Sequence, residues 1–286
     1  MLHPAHRRRR LLNRLKTAVG VVLAIAVCGL AVVFALGKAG FIDLPKADDG
    51  TDASLPGFVP MPETPFEGTP TADWKEFGDL AWPEAKSTGH FTRKQVEGAL
   101  KDVKDILWAG RVDWAAGKID PEGFQGLFAP DARKNVGGYL EDDQRLHLVS
   151  ELDAGASLAS PPRVTGTVSF SESTDEHGRA VLRITTNLVW AYGFTGDLVY
   201  YGDHLIVLNL TQNWEITDPD DIARTSQGVW LGNGGRAAWQ GLSCDGVKRG
   251  VLALEPPMTG DGTADPNAER IWEAGSDTSV FTNHCK

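Results

Sequence analysis

The sequence predicts an α+β fold, in which a curved and mainly antiparallel sheet packs on helices behind an N-terminal transmembrane helix. Two changes of pattern predict the domain: apolar residues recur every three or four positions between about residues 90 and 128, and every second position from Val164 onward. Helices followed by a run of strands are typical of α+β domains. The membrane helix is predicted by an uncharged stretch at residues 17–37.

The stretch 17–37 (TAVGVVLAIAVCGLAVVFALG) would reach about 30 Å as a helix, which is the thickness of the bilayer hydrocarbon. All six Lys and Arg residues of the first twenty precede it, so the positive-inside rule makes residues 1–16 a basic cytoplasmic tail and places the rest outside the cytoplasm. Two alternatives stay open. The segment would be a cleaved signal peptide if residues 35–37 form a cleavage site, or a lipoprotein signal at Cys28.

Residues 38–89 contain seven prolines and an excess of acids over lysines. Segments of this composition stay extended, so we expect a linker between the membrane and a domain. Trp74, Phe77 and Trp82 are too apolar for a free linker, and we expect the chain around them to lie against the domain that follows.

Two helices are predicted at the start of the domain. Thr92 and Gln95 have the spacing of a capping box, and the apolar stripe that follows indicates a helix to about residue 116. Asp120 before Pro121 is typical of the start of a second, shorter helix. The apolar positions of the two helices are Val96, Leu100, Val103 and Leu107 in the first, and Phe124, Leu127 and Phe128 in the second.

Three long strands are predicted at residues 164–170, 180–192 and 204–216, where apolar and polar residues alternate. Their apolar faces should meet the helices, whereas Arg183, Thr185 and Asn187 should point away. Patterns weaken in the C-terminal extension, residues 218–286, which contains two candidate short strands at 229–231 and 251–254.

The order of these elements resembles the NTF2-like superfamily, a group of cystatin-like α+β domains with a cone shape. The resemblance covers residues 90–217 and rests on residues 114–120 (WAAGKID), 124–131 (FQGLFAPD), 187–192 (NLVWAY) and 213–216 (NWEI). It implies a curved sheet around a helix, with a conical pocket that some members use for catalysis and many use only to bind a ligand or partner. A fold resemblance does not transfer a reaction.

Four residues are candidates for lining that pocket: Trp190, Tyr192, His204 and Trp214. In the alternative interpretation the aromatic residues are core and His204 meets solvent at the end of a strand. We assign no catalytic residue, no metal site and no cofactor.

Cys244 and Cys285 both fall on the predicted exported side, where thiols are not kept reduced, so we expect them to form a disulfide. The alternative is two separate free thiols. Neither belongs to a CxxC pair, which disfavours a zinc site.

A glycine pattern and two acidic groups each have a simpler structural interpretation than a ligand site. Residues 232–237 fit G-x-G-x-x-A, but too few residues follow for a crossover helix, so a glycine turn is the better interpretation. Two acidic groups offer oxygen ligands without the order of a calcium loop, and acidic loops are usually only solvated. These groups are Asp218, Asp220 and Asp221, and Asp261, Asp265 and Glu269.

Charge and topology together predict the class of function. The net charge is −10 although the N-terminus is basic, and this disfavours a nucleic-acid partner. We expect a non-catalytic, membrane-anchored extracytoplasmic module of the cell envelope, which binds a ligand or an envelope protein and contacts the bilayer through residues 17–37. The alternative is an exported enzyme that uses the pocket for acid/base chemistry with His204.

Overall fold

The structure is a computed structural model that describes residues 63–141, 144–175, 177–197, 202, 204–255, 268–277 and 285. The chain divides into two units, residues 1–59 and 60–286, and every described residue belongs to the second. The predicted cytoplasmic tail and membrane segment therefore lie outside the described residues. Within the described ranges, no helix has both the length and the apolar character needed to cross a membrane.

The fold is α+β, as predicted, with an antiparallel sheet curled into a half-barrel. Five strands follow each other in chain order across the sheet, and the sixth pairs with the fourth. The strands are β1 (Lys75–Glu76), β2 (Arg163–Thr174), β3 (Ala180–Gly193), β4 (Leu205–Thr217), β5 (Trp230–Leu231) and β6 (Arg236–Gln240). The three long strands match the three predicted from alternation.

The first predicted helix is α1 (Arg93–Trp108), which continues through a π-helical turn, Ala109–Asp113. Its capping box is confirmed: the Thr92 side chain accepts from the Gln95 backbone, and the Gln95 side chain accepts from the Thr92 backbone. Asp120 caps the second helix, also as predicted. The remaining helices are α2 (Pro121–Gln125), α3 (Arg133–Glu141), α4 (Arg145–Leu148) and α5 (Cys244–Arg249).

The strands present two different faces. Successive side chains of a strand point to opposite sides of the sheet, so the even-numbered residues of β3 and β4 share one side, which we call the inner face. Leu182, Ile184, Leu188, Leu208 and Leu210 on this face are buried in the large core together with the apolar side of α1. This packing follows the predicted alternation.

The odd-numbered residues form the outer face, which is covered in part. Val189 and Val207 are buried there in a second, smaller core with Phe66 and Ile271. Beyond it runs a polar ladder between β3 and β4, in which Arg183 pairs with Glu215 at 2.7 Å. The ladder also contains the Thr185–Asn213 and Asn187–Thr211 hydrogen bonds, at 2.8 and 2.9 Å.

The compact unit begins before the predicted domain boundary at residue 90. Phe66 and Phe77 are each 1% exposed, so the second half of the predicted linker packs on the sheet. The expectation that the aromatic residues near residue 77 contact the domain is confirmed. The ring centroid of Phe77 lies 5.0 Å from that of Trp190 and 6.2 Å from that of Trp82, and Trp74 lies 6.2 Å from Trp272.

The C-terminal extension differs from the prediction in detail. The candidate strand at 229–231 is present as β5, whereas residues 251–254 form only two isolated bridges, through Leu252 and Leu254. The glycine-rich residues 232–235 are a turn, as expected, but β6 follows directly and pairs with β4.

Candidate functional site

Trp190 and Trp214, two of the predicted pocket residues, are buried inside the core. Trp190 is 0% and Trp214 is 1% exposed. The Trp190 ring packs on Phe77, and the Trp214 ring lies 6.4 Å from that of Phe128 while its Nε1 donates to Thr186 Oγ1 at 3.2 Å. Both rings therefore fill the space between the sheet and the helices.

Tyr192 belongs to a buried polar cluster that the sequence did not predict. Its hydroxyl shares a hydrogen bond of 2.6 Å with Ser150 Oγ, and Ser150 in turn accepts from Arg111 Nη1 at 3.1 Å. All three residues are 0% exposed. The cluster connects β3, the π-helical turn after α1, and the chain that follows α4.

Arg111 organises this cluster. Its Nη1 donates to the carbonyls of Leu146 at 3.0 Å and Val149 at 3.3 Å, and its Nη2 donates to the carbonyl of His147. These carbonyls lie at the C-terminal end of α4, where a cation is favourable. Among the described residues no carboxylate pairs with the guanidinium, and burial lowers the pKa of Arg111. Burial likewise raises the pKa of Tyr192.

Arg111 was not identified from the sequence as a buried residue, although its place in the helical repeat indicates burial. It continues the apolar stripe of α1, four residues after Leu107, so the helical repeat itself placed a charge on the buried side. Glycine at 110 allows the close approach that the cluster needs, because a Cβ there would lie 2.5 Å from the Leu148 carbonyl oxygen. The cluster positions α4 against α1, and its three side chains are buried from solvent.

His204, the fourth predicted pocket residue, lies in the turn that leads into β4. Its φ is +58°, and its carbonyl accepts from the Phe194 backbone at 2.8 Å. The ring lies against Gly196, where a Cβ would come within 1.8 Å of it. Trp214 lies ten residues later, within β4, about 33 Å further along the chain at the usual rise of a strand. The structure therefore does not bring His204 and Trp214 together.

A concave feature is found at the edge of the sheet. It is a groove of about 540 Å³ between the extended segment 83–86 and residues 168–170 of β2. Val168 and Phe170 are half-buried along it, and Glu84 and Lys86 bring one charge of each sign to its other side. The groove combines apolar side chains with a strand edge, which suits a peptide segment better than a reacting small molecule.

The cysteine pair is at disulfide distance, as predicted. Cys244 begins α5, and its Cα lies 4.9 Å from that of Cys285, 41 residues later. The bond links the start of α5 to Cys285.

The two acidic groups have ordinary structural roles where they are described. Asp218 caps a short 3₁₀ turn by accepting from the Asp220 backbone at 3.1 Å, and Asp220 and Asp221 are exposed. Glu269 is exposed on another such turn, while Asp261 and Asp265 lie outside the described residues. In the part of the chain that the structure describes, no three His, Cys, Asp or Glu side chains gather where they could hold a metal ion.

No known protein family, curated protein or solved structure matches this chain. The structure shows a curled antiparallel half-barrel sheet with helices, which does not assign the chain to the NTF2-like superfamily. Membership in that superfamily stays a prediction.

Proposed function

We propose that the protein is a non-catalytic assembly module of the cell envelope, held at the membrane by residues 17–37 with its folded domain outside the cytoplasm. The observation that carries this proposal is that Trp190, Tyr192 and Trp214 are buried in the core, where the resemblance implied a conical pocket. An acid/base enzyme needs titratable groups that converge on a cavity open to a substrate. Among the described residues the rings of Trp190 and Trp214 pack in the core, and His204 lies in the turn before β4, ten residues from Trp214.

The cysteine pair supports export. Disulfides persist outside the cytoplasm and are rare inside it, where thiols are kept reduced. A pair at disulfide distance between α5 and the C-terminal segment is therefore expected of a chain that folds after crossing the membrane.

Topology can be tested with a reporter that works only outside the cytoplasm, fused after Lys286. We expect full reporter activity, and less of it when Arg7, Arg8, Arg9 and Arg10 are all replaced by Glu, because the positive charge that precedes residues 17–37 is then lost. A reporter that works only inside the cytoplasm serves as the control. Activity of that second reporter would overturn the proposed location.

The assembly role can be tested on the full chain extracted from membranes in a mild detergent. We expect it to migrate above the size of a monomer together with a stoichiometric partner, and a His204→Ala variant to behave in the same way. A chain that is monomeric at all concentrations, and whose biological effect is abolished by His204→Ala without loss of folding, would favour the enzyme instead.

A further inference from the structure

The outer edge of β2 is an unpaired strand edge over most of its length. β1 pairs only with Arg163 and Val164, at the beginning of β2. From Thr165 to Thr174, β2 pairs with β3 on one side, and among the described residues no backbone hydrogen bond engages its other side. Such an edge offers a row of free N–H and C=O groups to any strand that can lie beside it.

The strand itself carries few of the side chains that usually protect an edge from pairing. Natural edges are blocked by lysine, proline or an inward charge, but residues 165–174 (TGTVSFSEST) include neither lysine nor proline. Their one charge, Glu172, is turned to His90, which donates its backbone N–H to Oε2 at 2.5 Å and places Nδ1 2.9 Å from Oε1. The extended segment 83–86 lies across the groove from residues 168–170, and among the described residues it makes no backbone hydrogen bond with β2, so the backbone groups of this edge are not paired.

The sequence of this edge is complementary to itself. If two copies pair antiparallel about Ser169, then Val168 of one lies opposite Phe170 of the other, Thr167 opposite Ser171, and Ser169 opposite Ser169. The pairs nearest the axis join a β-branched with an aromatic residue on the inner side and hydroxyl with hydroxyl on the outer side, and both kinds are favourable cross-strand pairs. Glu172 falls opposite Gly166, so the pairing brings no like charges together.

We propose that a second copy of this chain docks on the β2 edge, so that two half-barrels join in one continuous antiparallel sheet about a two-fold axis at Ser169. The groove beside Val168 and Phe170 gives the partner's Phe170 an apolar space next to the strand. A two-fold interface of this kind uses the same residues on both subunits. The inference deepens the assembly role and rests on it.

The test is disulfide cross-linking of the full chain in its membrane, with Cys28→Ala so that only the introduced thiols react. Ser169→Cys places two thiols opposite each other with Cα atoms about 4.5–5.5 Å apart, within the range of a disulfide. With a mild copper oxidant to accept the two electrons, we expect a covalent dimer on a non-reducing gel.

Ser171→Cys is the matched control, because it is the same exposed residue type on the same face. Its thiol would lie about 13 Å along the strand from its own counterpart, and we expect at least about ten-fold less dimer. Thr167→Cys on one tagged copy and Ser171→Cys on another should cross-link to each other. Equal dimer from Ser169→Cys and Ser171→Cys, or none from either, would overturn the proposal.

A second pair of variants tests the interface without oxidation. Ser169→Lys brings two like charges together on the axis and should lower the dimer fraction about ten-fold, whereas Ser171→Lys faces Thr167 and should leave it within about two-fold. Formation of the Cys244–Cys285 disulfide reports that each variant folds. If Ser169→Cys instead joins a different protein, the dimer is overturned while the assembly role stands. A chain that is monomeric at all concentrations in the detergent extract would overturn both.

Discussion

The inner face of the sheet is covered by helices between residues 93 and 148, which directly precede β2, whereas the outer face is covered by two segments that are far apart in the chain. These are residues 63–74 and 268–276, and they meet where Trp74 packs on Trp272. The inner core is continuous and rich in aromatic residues, while the outer core is small and bordered by polar ladders. Equally buried side chains on the two faces are therefore expected to contribute differently to the free energy of unfolding, because the two covers differ in size and in how readily they can relax.

The largest difference in stability between the two sides of the sheet is expected when the same side chain is truncated in each core. Ile184 and Ile271 are 0% and 1% exposed. We expect Ile184→Ala to lower the free energy of unfolding by about 4–5 kcal/mol, because the large core cannot close the cavity, and Ile271→Ala by only about 2 kcal/mol. Chemical denaturation of both variants measures the difference. Equal losses would show that the two covers are equally rigid.

Removing the disulfide should act on the outer cover alone. Replacing Cys244 and Cys285 together by Ser is expected to lower the free energy of unfolding of the outer cover by about 2–4 kcal/mol, since the bond closes a long loop of the chain. Hydrogen exchange should become faster at residues 268–276 and stay unchanged in α1. Loss of protection in α1 as well would mean that the two faces unfold as one unit.

Arg111 tests whether the inner cover depends on polar contacts as well as apolar ones. Arg111→Met leaves the carbonyls of Leu146, His147 and Val149 without their donor, and we expect a loss of about 1–3 kcal/mol. Arg111→Lys keeps the charge but not the paired donors of the guanidinium, so its free energy of unfolding should lie between those of the parent and Arg111→Met. An Arg111→Met variant as stable as the parent would show that the cost of burying the guanidinium cancels its hydrogen bonds.

The smallest expected effect is a pH dependence at His90, where α1 meets the end of β2. The hydrogen bond to Glu172, followed by its charge, raises the pKa of His90. The contribution to stability is complete below the unfolded value of about 6.5 and is lost as the pH rises through the folded value. NMR titration should show the His90 pKa falling in Glu172→Gln. An identical titration in that variant would remove Glu172 as the cause.

The regular parts of this fold were predictable because they repeat. Alternation located β2, β3 and β4, and the caps at Thr92 and Asp120 fixed the starts of two helices. The same alternation held an unused indication of the outer cover, since Val189 and Val207 are apolar at odd positions that should otherwise face water. What could not be predicted is which distant segment would cover them, because sequence periodicity carries no information on contacts between residues 66 and 271.

The candidate site was less predictable than the fold. Alternation along the predicted strand placed His204 and Trp214 on one face, but residues ten positions apart on one face are not close to each other. The left-handed backbone at His204 also removes that residue from the strand. The aromatic residues were correctly placed on the inner face, but a residue list cannot distinguish a lined cavity from a filled one. The cysteine pair was predictable because compartment and number restrict the choices.

Asn209 lies buried on β4, and its side-chain amide donates to the carbonyls of Ile271 at 3.0 Å and Glu273 at 2.9 Å and to the Ser276 hydroxyl at 3.2 Å. Those partners are 62 to 67 residues away in the chain, whereas β2, β3 and β4 join through short connections. Contacts at long sequence separation form late because closing large loops costs entropy. We therefore expect β2, β3, β4 and the helices that precede them to assemble first. Residues 268–276 would then dock last, and would accept the hydrogen bonds of the Asn209 amide. Until residues 268–276 dock, the strip of β4 around Asn209 is expected to stay uncovered, and an uncovered apolar strip of sheet favours aggregation.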